Sequence, residues 1–341
     1  MREPAFWWQP RRPPLLLGPL LAPLAAAYGA VAGMRLRASG RSAAVPVMCF
    51  GNLTVGGGGK TPAALAAGRL LLAANERPFF LSRGYGGRLA GPVAVDPAAH
   101  GAADVGDEPL LLARLAPTIV ARDRLAGAAA AAGGGASVVV MDDGLQNPSL
   151  RKDLAVIVVD GRRGIGNGRI FPAGPLRASL ESQIARAHAL LLVGPPDADV
   201  AAVVAMAQRR LLPVLHGRIE ADRQSLAALS GRRIMAFAGI ADPQKFFATL
   251  AAAGLTVVER IGFADHQRYT PAAARMLLER AQAQNLVLLT TEKDHARLTG
   301  DPQLAGLAER AAVLPVRLVI EEEAAFGDLL FRALKRRDTG E

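Results

Sequence analysis

A chain of 341 residues has room for about two domains at roughly 150 residues each. Its 51% hydrophobic and 21% charged residues exclude wholesale disorder, and a single cysteine, Cys49, excludes an internal disulfide and any multi-cysteine metal centre. An excess of 40 Lys and Arg over 30 Asp and Glu, net +10, suits an anionic partner, be it nucleic acid, acidic lipid or a phosphorylated small molecule. With 5% aromatics and no aromatic–basic alternation, a stacking platform for single-stranded nucleic acid is disfavoured.

Residues 1–40 read as an N-terminal membrane-associated segment. The stretch Leu15–Met34 is apolar, and 1.5 Å per residue makes it about 30 Å long as a helix. Trp7 and Trp8 beside Arg11 and Arg12, then Arg35 and Arg37, are the residues expected at a lipid–water interface with acidic headgroups. Gly18, Pro19, Pro23, Gly29 and Gly33 weaken a straight helix, and basic residues flank both ends. Whether the segment spans or lies on a membrane stays open. A helix packed on the body is a second reading; a cleaved signal peptide is a third, which conflicts with the nucleotide motif that follows.

The apolar run 43–50 leads into GNLTVGGGGKTP (51–62) and then an Ala/Leu-rich helical stretch to about residue 74. Strand, glycine loop and helix are the context of a phosphate-binding loop. The backbone of Thr54, Val55, Gly56, Gly57, Gly58 and Gly59 would wrap ATP phosphate oxygens. Lys60 would reach the β and γ phosphates, and Thr61 would ligate Mg²⁺. Pro62 fits the first turn, where no N–H is needed. Thr54 stands where the common pattern has its first glycine, and a flexible linker is the competing reading. The strand SVVVMDDGLQ (137–146) ends in Asp142 and Asp143, carboxylates suited to holding Mg²⁺ unless the pair is merely an Asp-Asp-Gly turn.

Apolar strand candidates recur at 45–50, 78–82, 117–121, 137–142, 154–159 and 187–193, and again at 233–239, 255–262, 286–291 and 312–320. Helical stretches between them predict an α/β fold: a P-loop NTPase-like, mainly parallel sheet flanked by helices, with a second, smaller α/β lobe. The expected division is a P-loop kinase core over 41–195 and a second lobe over 196–341 that completes the cleft, with GPPDAD (194–199) as punctuation. Asp242-Pro243 and Thr270-Pro271 read as helix starts.

A guanine-reading N-K-x-D is absent, and Val55 stands where membrane-positioning ATPases carry their extra lysine. A kinase needs a further group, a base for the acceptor hydroxyl. GNLTVGGGGKTP, LSRGYGGR (81–88), GDEPLLLA (106–113), DDGLQ, LRKDLAVIVVD (150–160), FPAGPLR (171–177), GFADHQRY (262–269) and TTEKDHARL (290–298) follow one another in the order of the tetraacyldisaccharide 4′-kinase family of lipid A biosynthesis, which the chain resembles over nearly its whole length. The resemblance implies transfer of the γ-phosphate of ATP to the 4′-hydroxyl of a tetraacylated glucosamine disaccharide 1-phosphate, at the cytoplasmic face of the bacterial inner membrane. No obligate protein partner is evident.

By motif position the resemblance assigns an Asp–His pair to Asp107 and His266, with Lys60 as the third catalytic candidate. Arg83, Arg124 and Arg177 are candidates for substrate or phosphate contacts, or else solvated charges. Glu292 and Asp294 either line the cleft or cap a helix. Leu145, Asn147, Ala178 and Gln267 depart from the family pattern, where Phe, His, an acidic residue and a second His are usual. A membrane-attached P-loop ATPase that positions or regulates a partner is the alternative, but it leaves GDEP and FADHQ without a task.

Overall fold

The computed structural model describes residues 3–8, 17–196 and 200–338. Arg11, Arg12, the first two residues of the apolar stretch and residues 197–199 lie outside the described residues.

The first sheet has nine strands in the order β13-β8-β7-β6-β1-β5-β2-β4-β3. In chain order these are β1 (Val47–Gly51), β2 (Pro78–Ser82), β3 (Val93–Ala94), β4 (Thr118–Val120), β5 (Val138–Asp142), β6 (Leu154–Asp160), β7 (Ala189–Val193), β8 (Val214–Ala221) and β13 (Val316–Ile320). All neighbours are parallel except the two edges, β3 against β4 and β13 against β8. Strands β1, β5, β6 and β7 are buried throughout, as continuous apolar runs between two helical layers must be. The smaller sheet, β10-β9-β11-β12, is parallel throughout and comprises β9 (Arg233–Ala238), β10 (Thr256–Gly262), β11 (Val287–Thr291) and β12 (Ala312–Leu314).

The expected boundary at 195/196 falls within the large-sheet lobe, because β8 and β13 both join that sheet. Helix Glu323–Asp338 also returns to it, with Phe326 buried edge-on against Phe50 at 6.1 Å. The small sheet is thus inserted between β8 and β13. The run 312–320, expected as one strand, is cut by Pro315, whose missing N–H cannot join a ladder. Residues before it serve the small sheet and residues after it the large one. Where the chain leaves and re-enters the large sheet, the Asp222 N–H donates to the Pro315 carbonyl at 2.9 Å.

Helix Leu17–Arg37 contains Pro23 and touches the body along one side, where Gly29 meets Ile170 and Tyr28 meets Phe171. Leu20, Leu24, Tyr28, Val31 and Met34 are exposed. Among the described residues no helix is long and apolar enough to cross a membrane. Cys49 is fully buried, and burial pushes its thiol up to about 11, so it serves as a small hydrophobe.

Candidate active site

Register places the glycine loop. Phe50 of β1 pairs with Asp142 of β5, so the loop leaves its strand beside the aspartate pair, at the carboxyl ends of the strands. Gly59, in the left-handed region at φ 84°, caps helix Lys60–Ala73 without a side chain, so no side chain covers the first-turn N–H groups. The loop is braced from the side: Val55 N–H donates to Pro175 O at 2.8 Å, Asn52 Nδ2 to Gly56 O at 3.0 Å and Arg177 Nε to Thr54 O at 2.9 Å. The small-sheet lobe closes over it, since a Cβ on Gly57 would stand 3.2 Å from that of Ala241.

Lys60 Nζ donates to Gly56 O at 3.2 Å and lies 3.7 Å from Asp143. Arg177 grips both oxygens of Asp143, at 3.2 and 2.9 Å. Burial alone would raise Asp143, but Lys60 and Arg177 outweigh it and hold the carboxyl at about 2. Asp142 is different. Burial pushes it up to about 6 despite Lys60, and while Oδ2 accepts the Thr61 hydroxyl at 2.8 Å, Oδ1 is buried without a partner. A buried orphan carboxylate oxygen beside a hydroxyl is the hard-oxygen donor set that Mg²⁺ accepts, so Thr61 and Asp142 fit the ion better than Asp143, which Arg177 already engages.

The second cluster joins the lobes. Gly106, at φ 90°, starts helix Asp107–Ala113; a Cβ there would strike the Tyr85 carbonyl at 2.6 Å. Asp107, 3% exposed, receives Arg297 Nε on Oδ2 at 2.5 Å, with His266 Nδ1 3.3 Å away, while its Oδ1 accepts the Glu108 N–H at 3.0 Å. His266 itself sits in the left-handed region at φ 53°, edge-on to Tyr85 at 5.0 Å. Lys293 Nζ lies 2.7 Å from Glu108 and 3.3 Å from His266 Nε2. Although burial opposes its charge, Lys293 together with hydrogen bonds from Glu108 and His266 holds Asp107 well below the usual carboxylate range. Burial pushes Glu108 up to about 7. Asp107, Glu108 and His266 are close enough to hold a cation, and the Lys293 ammonium stands against two of them. Lys293 also acts electrostatically on Asp142, which links the two clusters.

Of the sequence candidates, the structure brings Asp107 and His266 together, and likewise Lys60, Thr61, Asp142, Asp143 and Arg177. Arg124, 3% exposed, donates to Ala121 O and, at 3.4 Å, to Asp143 O; Arg83 is exposed at the surface, close enough to depress the Arg124 guanidinium, whose chief perturbation is burial. Asp294 is structural: fully buried, it accepts Gly239 N–H and Tyr269 Oη, each at 2.9 Å. Glu292 accepts the Val316 N–H at 3.0 Å, and Thr291 is the helix cap. The departures have plain local roles. Leu145 and Ala178 are buried, Asn147 closes a turn onto Ser149, and Gln267 accepts Ala264 N–H. Sequence reasoning missed Glu108, Lys293 and Arg297. Their signals were adjacency to Asp107 and the four-residue spacing of Lys293 and Arg297 on one helix face.

Strand, glycine loop and helix, with an aspartate pair ending the neighbouring strand, define a phosphate-binding-loop α/β protein of the nucleotide-handling class. The family described as LpxK, tetraacyldisaccharide-1-P 4′-kinase, matches residues 17–335. Proteins named tetraacyldisaccharide 4′-kinase from Nitrobacter winogradskyi and Rhodopseudomonas palustris (strain BisB18) are 50% and 52% identical, over 98% of this chain in both cases and 98% and 96% of their own lengths. A crystal structure of LpxK from Aquifex aeolicus, described as an apo form in complex with ATP, superposes with a TM-score of 0.73 at 27% identity, covering 94% of this chain and 100% of that one. The chain belongs to the tetraacyldisaccharide-1-P 4′-kinase family.

Proposed function

We infer that the chain transfers the γ-phosphate of ATP to the 4′-hydroxyl of a tetraacylated glucosamine disaccharide 1-phosphate, giving the 1,4′-bisphosphate. The observation that carries this reading is a carboxylate–imidazole pair, Asp107 and His266, assembled from two lobes beside a glycine loop in a chain of this family.

The loop amides and Lys60 hold the ATP phosphates, Lys60 exchanging Gly56 O and Asp143 for phosphate oxygens. Thr61 and Asp142 would hold Mg²⁺, which when bound neutralises charge on the β and γ phosphates. Asp143 keeps Arg177 in place and pairs with Lys60 until the phosphates replace it. Asp107 Oδ2 is engaged by Arg297 and His266, whereas Oδ1 accepts one backbone N–H and has a lone pair left for the acceptor hydroxyl. As the 4′-oxygen bonds to the γ-phosphorus and the bond to the ADP oxygen breaks, the proton passes to Asp107. Its depressed pKa makes it a weak base. In a loose phosphoryl-transfer transition state its work is to orient the hydroxyl and accept the proton late. Arg83, the exposed arginine of the three, is the candidate for the substrate's own phosphate, while Arg124 bonds the Asp143 carbonyl and Arg177 its carboxylate.

The apolar side of helix Leu17–Arg37, with Arg35 and Arg37 in its last turn, supports seating on an anionic lipid surface, at the cytoplasmic face of the inner membrane where ATP is available. Full-length protein in detergent with ATP, Mg²⁺ and the tetraacyl disaccharide 1-phosphate should yield labelled bisphosphate. ATP hydrolysis stimulated by bare vesicles with no acceptor product would instead support the positioning-ATPase reading.

A further inference from the structure

Residues 3–8 reach the glycine loop. Trp7 anchors them: it is 5% exposed, its Nε1 donates to Pro172 O at 3.1 Å, and its carbonyl accepts the Asn167 N–H at 2.7 Å. Beyond that anchor Glu3 lies on the loop itself. A Cβ on Gly56 would stand 2.0 Å from Glu3 Oε1, so only glycine leaves room for the carboxylate there. Glu3 Oε2 accepts Trp8 Nε1 at 2.8 Å and pairs with Arg163 at 2.5 Å, and the Arg163 guanidinium lies over the Trp8 ring, 3.8 Å from its centroid. Oε1 is buried and has no donor. The adjoining cleft is lined by Trp8, Asn52, Gly57, Gly58, Asp160 and Arg163.

A carboxylate with one oxygen unsatisfied is a poor anchor, because a buried acceptor without a donor costs free energy, and Trp7 already holds the segment. Its position is that of a resident anion. We propose that residues 3–8 are a built-in occluder of the ATP cradle: without nucleotide, Glu3, latched by Arg163 and Trp8, takes an anion's place against Gly56, and ATP must displace it, Arg163 then passing from the carboxylate to a phosphate oxygen. This rests on the reading of GNLTVGGGGKTP as that cradle. A guanidinium grips carboxylate and phosphate in the same way, so Arg163 keeps a partner in both states. Like charges repel strongly in a partly buried cleft, so carboxylate and triphosphate exclude one another. The apparent affinity for ATP is therefore lowered by the fraction of molecules in which Glu3 has left the loop.

The sequence has 2 tryptophans, Trp7 and Trp8, so all tryptophan emission reports on this segment. Full-length protein titrated with ATP and Mg²⁺, with no acceptor, should shift its emission to longer wavelength as Trp8 parts from Arg163 and meets solvent. Trp8→Phe should abolish the shift while ATP still binds. By equilibrium dialysis Glu3→Gln should bind ATP about threefold or more tighter than wild type, and Arg163→Met added to it should give that gain back. Wild-type emission that stays constant while ATP binds overturns the proposal without any variant having to fold, and so does a shift that survives Trp8→Phe. An affinity in Glu3→Gln equal to or weaker than wild type also overturns it, being the result of a mere anchor. A gain untouched by Arg163→Met overturns the transfer of Arg163 to phosphate. If neither wild type nor Glu3→Gln takes up ATP, the cradle reading fails together with the occluder.

Discussion

The phosphate-side cluster draws Lys60, Thr61, Asp142, Asp143 and Arg177 from the large-sheet lobe alone, whereas the acceptor-side cluster combines Asp107 and Glu108 of that lobe with His266, Lys293 and Arg297 of the small-sheet lobe. The first is built at the ends of adjacent parallel strands of a single lobe. The second exists only when the lobes meet. On the function proposed above, this division would let one lobe hold ATP while the acceptor-side pair is assembled where the two lobes meet, a site from which water can be kept out.

The comparison is broken most directly by removing one member from each side. Asp107→Asn should lower kcat by about 10²–10⁴ while leaving ATP affinity within about threefold, read by steady-state kinetics and nucleotide titration. Lys60→Ala should lose ATP affinity and transfer together. Equal losses in both variants would mean that the two clusters do not act separately.

Arg297→Met comes next. The guanidinium is 5% exposed and bridges Asp107, at 2.5 Å, to Asp294, at 3.0 Å, both of them buried. Its loss takes the cation from two buried carboxylates, at a cost of about 3–5 kcal/mol in denaturant unfolding. ATP binding by whatever folded fraction remains should be normal, because nothing on the phosphate side touches Arg297.

Asp142→Asn sharpens the comparison from the other side and should separate stability from activity. The folded pKa of Asp142, about 6, lies above its ordinary 3.8, so the native state binds more protons between those values. The stability this group contributes is fully present below pH 3.8 and is lost as pH rises through 6. Asp143, held at about 2, runs the opposite way: its contribution is present above 3.8 and lost as pH falls through 2. Nucleotide-free Asp142→Asn should therefore be more stable than wild type by about 2–3 kcal/mol at pH 8, with the gain shrinking towards pH 4, as thermal melts across pH would show. Transfer should fall sharply for want of the Mg²⁺ ligand.

The same division explains what could be read from residue order. Strand β1, the glycine loop and β5 form one contiguous unit whose chemistry follows from local pattern, so Lys60, Thr61, Asp142 and Asp143 were legible, as were the expected strands within a residue or two, apart from the split run 312–320; β3 and β8 were not expected. Arg297 and Lys293 were not. Their partners lie 190 and 185 positions away, and nothing in TTEKDHARL tells a cleft-facing lysine from a solvated one. The lobe boundary failed for a related reason. β8 and β13 look like members of the segment around them, and only their antiparallel pairing, with Val316 opposite Ala221, reveals that the chain returns to the first sheet. Pro315 was the one local sign of that crossing.

The smallest effects are expected where the lobes also touch, at ion pairs on the rim. Asp160 meets Lys245 and Arg162 meets Asp242, but the Lys245 and Arg162 side chains are 38% and 47% exposed. Exposed pairs contribute about 0–1 kcal/mol and are screened by salt, unlike the buried Arg297 bridge. Asp160 also accepts the N–H groups of Arg162 and Arg163, at 3.1 and 3.3 Å, so it is not stranded when Lys245 goes. Arg162→Ala and Lys245→Ala should each change unfolding free energy by under about 1 kcal/mol and kcat by at most about threefold, with the difference from wild type fading as ionic strength rises. If Arg162→Ala lowered kcat as far as Asp107→Asn does, lobe closure itself would limit turnover and the placement of Asp107 would be incidental. A modest, salt-sensitive effect instead ties catalysis to the buried cluster, where closure delivers specific groups to Asp107.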